Sequence, residues 1–310
     1  MAYTFGFLGT GHMGSALAEA ACACAGTSEV IIANRTPEKA QRLAERLGCT
    51  AADNEMVINS AAYLFLGAKP QDMLTLLDAI APLLAARKTP FVLVSMAAGI
   101  TLQELADHTS PTYPILRIMP NTPVAIGEGM TYYTPNANVT QAQLDAFLSG
   151  IAGCGQFDRL SEPLLDAGSA VSGCGGAFCN LFTEALADGG VACGLSRAQA
   201  YRYAAQMLIG MSKLMLESGK HPAVLKDEAC SPAGATIEGV RVLEKAGLRA
   251  AVIEAVVASC RKNAILGHET RICSLTLCCF VPIQTRTACM STHAGSSGFI
   301  LIYSGRRPSW

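Results

Sequence analysis

Gly9-Thr10-Gly11-His12-Met13-Gly14 decides the fold. The run follows Tyr3-Thr4-Phe5-Gly6-Phe7-Leu8, which reads as a short buried strand. It opens Ser15 to Ala25, a stretch of Ala and Leu that reads as a helix. Glycines at the first, third and sixth places of such a turn suit a dinucleotide. Gly9 permits the tight bend, Gly11 lets the backbone approach a pyrophosphate, and Gly14 lets the helix pack close to the strand. The helix N-terminus adds free N–H groups and partial positive charge beside the phosphates. His12 and Met13 lie within this cofactor loop. His12 reads as a phosphate neighbour or a solvated residue rather than a catalytic acid.

Twenty residues beyond Gly14, Glu29-Val30-Ile31-Ile32-Ala33 reads as a second strand ending at Asn34-Arg35-Thr36. An NAD-binding site usually carries a carboxylate at this point, whereas an Arg accommodates a 2′-phosphate. Asn34, Arg35 and Thr36 offer polar groups and a cation with no carboxylate among them. NADP(H) is therefore the expected cofactor, with NAD(H) as the alternative.

The 310 residues leave room for two domains. Net charge is −1 and charged residues are 15% of the chain, so no basic stripe for nucleic acid is expected. No apolar run approaches the length of a membrane-spanning helix, and the first strand begins too early to leave space for a signal peptide. A cytoplasmic protein is expected. Thirteen cysteines show no paired metal-binding spacing, so no metal is expected. Cys22, Cys24, Cys174, Cys179 and Cys193 sit in small-residue helical settings and read as reduced thiols acting as small hydrophobes.

Working outward, residues 1–160 alternate short strands with helical patterns. Tyr63–Gly67, Phe91–Ser95 and Ile115–Ile118 continue the strands, and Met130–Thr134 and a segment near Gln156-Phe157 read as later edge strands. This alternation predicts an α/β Rossmann-type, mainly parallel sheet covered by helices on both faces. Ligands in such sheets bind beyond the carboxyl ends of the strands. The loops selected are Gly67-Ala68-Lys69-Pro70, Ser95-Met96-Ala97-Ala98-Gly99 and Met119-Pro120-Asn121-Thr122-Pro123.

From residue 161 strand signals vanish and an all-helical domain is expected to 267. Ser161–Val171, Ala177–Cys193, Ser196–Glu217 and Thr236–Leu266 read as helices, the last broken near Gly247, with Ser196 as an N-cap. Ala177–Cys193 and Leu248–Ile265 are apolar around much of their circumference. So small a domain cannot bury several such helices alone, which predicts intertwined packing with a second copy. Residues 268–310 are expected to be irregular and foreign to the native fold, since helical character is expected to stop after Gly267, with a membrane-seeking or regulatory tail as the alternative. Four of the thirteen cysteines and the only Trp fall there.

Within the helical part, Lys226-Asp227-Glu228-Ala229-Cys230-Ser231-Pro232-Ala233-Gly234-Ala235-Thr236 bars a continuous helix. A new helix must start near Gly234. That leaves free N–H groups beside the hydroxyls of Ser231 and Thr236, a socket suited to a small carboxylate or, equally on spacing, a routine helix start.

Several ordered motifs resemble pyrroline-5-carboxylate reductase over residues 1–266. They are the Gly9–Gly14 loop, Arg117-Ile118-Met119-Pro120-Asn121-Thr122-Pro123, Asp166 to Gly175 with Glu184 to Gly190, and Ser231-Pro232-Ala233-Gly234-Ala235-Thr236-Ile237. Gly176, Phe178 and Ala233 depart from the residues usual in that family (Pro, Tyr and Gly). The resemblance implies NAD(P)H-dependent reduction of (S)-1-pyrroline-5-carboxylate to L-proline, the last step of proline biosynthesis. It implies a homodimer or dimer-based oligomer whose active site joins the cofactor cleft to helices of both copies. It implies that Gly234, Ala235, Thr236 and Ser231 hold the substrate carboxylate, with Thr236 also bonding the ring nitrogen. Ala97, Asn121 and Thr122 would border the nicotinamide or its ribose, Ala68, Lys69 and Pro70 the cofactor's mid-section, and Asn54 its adenosine side. The alternatives are a β-hydroxyacid dehydrogenase, another imine reductase and a catalytically silent NADP sensor. The first lacks the Lys expected in Ser172–Phe178.

Overall fold

The computed structural model describes residues 3–277; from residue 266 onward only the course of the backbone is described. The first strand, β1 (Tyr3–Leu8), runs into α1 (His12–Ala25) through the glycine turn. Next come β2 (Val30–Ala33), α2 (Pro37–Leu47), β3 (Thr50–Ala51), α3 (Asn54–Ser60), β4 (Ala61–Leu66) and α4 (Pro70–Ala86). Then follow β5 (Val92–Ser95), α5 (Leu102–Asp107), β6 (Ile115–Met119), β7 (Gly129–Pro135), α6 (Gln141–Gly150) and β8 (Gly155–Arg159). They form one eight-stranded sheet in the order β3-β2-β1-β4-β5-β6-β7-β8. All neighbours are parallel except β6 and β7. Only the two-residue β3 lacked a sequence signal.

Period-2 alternation assigns each strand residue to one of two cores. Phe5, Phe7, Val30, Ile32, Tyr63, Phe65, Val92 and Val94 pack on one face with Leu17, Ala18, Ala21 and Phe147. Leu8, Ile31, Leu64, Leu66, Leu93 and Ile115 pack on the other with Val57, Met73, Leu77 and Leu84. Both faces are covered, so the central strands read as continuous apolar runs. Aromatic rings thicken the first core: Phe7 stacks on Phe65 with centroids 4.4 Å apart. Cys154 is fully buried there, and burial pushes its thiol up to about 12.

Beyond β8 the chain is helical: α7 (Leu165–Ser169), α8 (Gly175–Ala192), α9 (Arg197–Ser218), α10 (Pro222–Glu228), α11 (Ala235–Lys245) and α12 (Leu248–Leu277). Ser196 caps α9 in a full capping box with Gln199. Gly247, at φ +76°, separates α11 from α12 as expected. Two expectations need correction. Ser161–Val171 and Ala177–Cys193 are not separate helices, because a π-turn at Ala170–Cys174 carries α7 directly into α8. Helical character also does not stop at Gly267, since α12 continues to Leu277. A helix-interior Gly costs about 1 kcal/mol relative to Ala but does not terminate a helix. The remainder of the expected irregular tail, 278–310, lies outside the described residues.

Candidate active site

The glycine turn places three glycines in three environments. Gly9 has φ +105°, and a Cβ there would stand 2.9 Å from the backbone of Gly67. A Cβ on Gly14 would come within 2.5 Å of the Gly9 carbonyl, so α1 can enter only without one. Gly11 is the opposite case: a Cβ would meet nothing within 4 Å, so its backbone faces open space. Gly11 is also the N-cap of α1, and no side chain caps that helix. Its first N–H groups are left for an outside acceptor. The Thr10 hydroxyl beside them is buried with no hydrogen-bond partner.

A cleft of about 480 Å³ opens from this turn, lined by Gly9, Thr10, Gly11, Asn34, Arg35, Lys39, Asn54, Ala68 and Lys69 among others. An adjoining cleft of about 650 Å³ shares Asn34, Arg35 and Asn54. The wall is β1, β2 and β4 at their carboxyl ends, where the strand order reverses between β1 and β4. Arg35 lies just before α2 and Lys39 in its first turn, both lining this cleft, both exposed and, among the described residues, without an ion-pair partner. Two cations and a row of unclaimed donors match a 2′-phosphate at one end of the cleft and a pyrophosphate in its middle. The residues present thus fit NADP(H).

The structure brings Gly9, Gly11, Asn34, Arg35, Asn54, Ala68 and Lys69 together in one cleft. It places His12 exposed on the first turn of α1, Thr36 exposed as the N-cap of α2, and Pro70 at the first turn of α4. Met13 packs on the core, and Ala97 is buried behind its loop. Thr122 is exposed after Asn121, whose side chain is occupied. The Asn121 carboxamide accepts the Met130 N–H at 2.8 Å and donates to the Ser172 carbonyl at 3.2 Å. Sequence reasoning missed Lys39, although its place four residues after Arg35 on a helix was a legible sign. It also gave no role to the Gly9–Gly67 contact, or to Thr75, Leu76 and Ala79, which line the cleft from α4.

The second expected site is a turn between α10 and α11. The Gly234 N–H donates to the Ser231 carbonyl at 3.0 Å, and a Cβ on Gly234 would lie 2.3 Å from the Ser231 hydroxyl. Gly234 caps α11 without a side-chain bond, which leaves donors at Ala235 and Thr236. Ala233 has φ +58°, the one non-glycine with positive φ among the described residues. Ser231, Ala235 and Thr236 are exposed and line neither cleft within one chain.

Fold and cleft together define a class: an NADP-dependent oxidoreductase built on a Rossmann-type domain. Residues 4–99 match the family described as NADP oxidoreductase, coenzyme F420-dependent, and residues 162–266 match pyrroline-5-carboxylate reductase dimerisation. The chain is 39% identical over 267 residues to pyrroline-5-carboxylate reductase of Escherichia coli strain K12, covering 85% of this chain and 98% of that relative. It is 36% identical to the Methanosarcina acetivorans pyrroline-5-carboxylate reductase over 85% of this chain and 98% of the relative. The protein belongs to the pyrroline-5-carboxylate reductase family. The crystal structure of the Plasmodium falciparum pyrroline carboxylate reductase with NADP bound is similar at a TM-score of 0.77 and 29% identity, covering 86% of this chain and 98% of that one. The Streptococcus pyogenes 1-pyrroline-5-carboxylate reductase is similar at a TM-score of 0.75 and 31% identity, covering 84% and 98%.

Proposed function

We propose that two copies of this chain complete one active site, in which the Ser231–Thr236 turn holds the substrate opposite the cofactor cleft. The activity is that of the family: reduction of (S)-1-pyrroline-5-carboxylate to L-proline with NADP(H), in proline biosynthesis. NADPH supplies the hydride when bound. The observation that carries the two-copy reading is that Ser231, Ala235 and Thr236 are exposed and line neither cofactor cleft of their own chain. An uncapped helix start with two hydroxyls lies exposed, far in sequence from the cleft it must serve.

The residues then divide the work. Gly11, Thr10 and the α1 N-terminus hold the pyrophosphate, and Arg35 and Lys39 hold the 2′-phosphate. The amides of Ala235 and Thr236 and the Ser231 hydroxyl hold the substrate carboxylate. The Thr236 hydroxyl bonds the ring nitrogen and positions it for protonation from water. A protonated imine is already electrophilic, so the protein's main contribution is orientation, which can lower a barrier by about 7–11 kcal/mol. A β-hydroxyacid dehydrogenase would need a base where Ser172–Phe178 supplies none. A cytoplasmic location fits the nine described cysteines, all free thiols. No part in catalysis is assigned to residues 268–310 on this reading, since the dimerisation match ends at residue 266.

The test is NADPH and NADH consumption with pyrroline-5-carboxylate, on the full chain and on a version ending at Gly267. Turnover of both forms with NADPH preferred is expected. No turnover of any cyclic imine would revive the silent sensor.

A further inference from the structure

One carboxylate oxygen gathers three parts of the molecule. Glu162 Oε1 accepts the Leu102 backbone N–H at 2.7 Å and the Arg117 guanidinium Nη1 at 2.8 Å. Leu102 is the first residue of α5, immediately after the Met96–Thr101 loop at the carboxyl end of β5. Arg117 lies on β6, which runs into the loop of Asn121 and Thr122. Glu162 itself opens the helical part, three residues after β8. The Arg117 side chain is 4% exposed and that of Glu162 27%. Among the described residues Glu162 is the anion paired with this buried cation, whose Nε makes no hydrogen bond.

We propose that Glu162 is a positioning residue for hydride transfer, fixing the first turn of the helical part against the strand-end loops that flank the nicotinamide half of the cleft. The pin joins the start of α5 and β6 to the chain after β8, away from the β1, β2 and β4 wall that grips the phosphates. Cofactor binding and cofactor alignment are thereby assigned to different residues. A second polar tie runs the same way, from Asn121 to the π-turn carbonyl of Ser172. Another ion pair across the two parts, Lys213 with Glu128, is exposed at both ends and leaves the alignment to the buried tie. Charge and geometry both matter at Glu162: the carboxylate neutralises a desolvated guanidinium while its oxygen reaches a backbone N–H on another element.

The inference rests on the reductase activity above, so the unaltered enzyme is the control. Two variants weaken the pin differently. Glu162→Gln keeps the shape and removes the charge. Leu102→Pro removes the N–H without breaking α5, because a first-turn position tolerates proline and Thr101 before it is already extended at φ −82° and ψ +162°. It also trims a side chain packed on the second core, so Leu102→Ala, which trims that side chain and keeps the N–H, is its control. The expected result is a kcat lowered about tenfold in both variants, with KM for NADPH within twofold of the parent. The isotope effect from deuterated NADPH should rise as hydride transfer becomes limiting. A pin that only stabilised the fold would lower Tm and leave kcat and the isotope effect unchanged below the transition; that result overturns the proposal. So does a KM for NADPH that rises in step with the loss of kcat. If the unaltered enzyme itself fails to turn over pyrroline-5-carboxylate, the proposed function falls first.

Discussion

Residues 3–160 and residues 161–265 use apolar side chains in opposite ways. In the sheet domain, Phe5, Phe7, Phe65 and Phe147 disappear completely into a core within the chain. Among the described residues beyond 160 the buried apolar residues are few and mostly small: Leu165, Ala170, Ala187, Ala200, Ala204 and Leu225. The same stretch leaves Leu181 68% exposed, Leu216 77% and Ile253 60%, with Met207, Ile209, Met211 and Leu214 exposed along α9. Isolated exposed hydrophobes are ordinary, but a continuous apolar face marks an interface. The sheet domain is complete in one copy, and the helical part is completed by another copy.

The sharpest way to break that contrast is to charge the α9 face. Met207→Asp with Met211→Asp places two charges one helical turn apart. Each buried apolar side chain contributes about 1.5–3 kcal/mol, so the pair should weaken self-association more than hundredfold. Light scattering should report monomers, and kcat/KM should fall with assembly while NADPH binding persists. An active monomer would end the two-copy reading.

Thr236→Ala acts on the helical side of the site alone. Loss of a buried hydrogen-bond partner costs about 1–3 kcal/mol, so kcat/KM should fall roughly ten- to hundredfold. NADPH affinity, measured by fluorescence titration, should not move. Arg35→Ala acts on the sheet side alone. A charge-assisted bond is worth about 1.5–3 kcal/mol before solvent screening. The Kd for NADPH should rise about tenfold, with little change for NADH. Lys39→Ala should do the same more weakly. Equal losses for both coenzymes would remove these cations from 2′-phosphate recognition.

Ala233→Gly carries the smallest effect. A left-handed residue other than glycine costs about 1–2 kcal/mol, partly offset by the added entropy of glycine in the unfolded chain. Tm should rise by about 1–2 °C, with activity retained. A fall in Tm would show that the turn does not strain Ala233.

The same contrast explains what the sequence made legible. Strand–turn–helix signals are local, so β1, the Gly9–Gly14 turn and α1 could be read directly. β3 is too short to carry a pattern. The π-turn at Ala170–Cys174 escaped because one extra residue in a turn barely disturbs helical periodicity. Glycine at 267 suggested an end, yet α12 passes through it, because nothing there demands a left-handed conformation. The pairing of Arg117 with Glu162 spans 45 residues. No local pattern announces such a contact; it exists only once β6 and the chain after β8 are brought together. Gly234 was legible as a helix start, but not which chain's cleft it faces.

The contact between Gly9 and Gly67 has a consequence for how this scaffold can diverge. A Cβ on Gly67 would lie 2.1 Å from the Gly9 carbonyl, so the frame of the phosphate turn is main chain against main chain. Neither partner offers mutation a side chain to vary. Arg35, Lys39 and Asn54 stand around that frame without holding it up. A lineage can therefore exchange its coenzyme preference through the rim while the socket beneath stays invariant in shape.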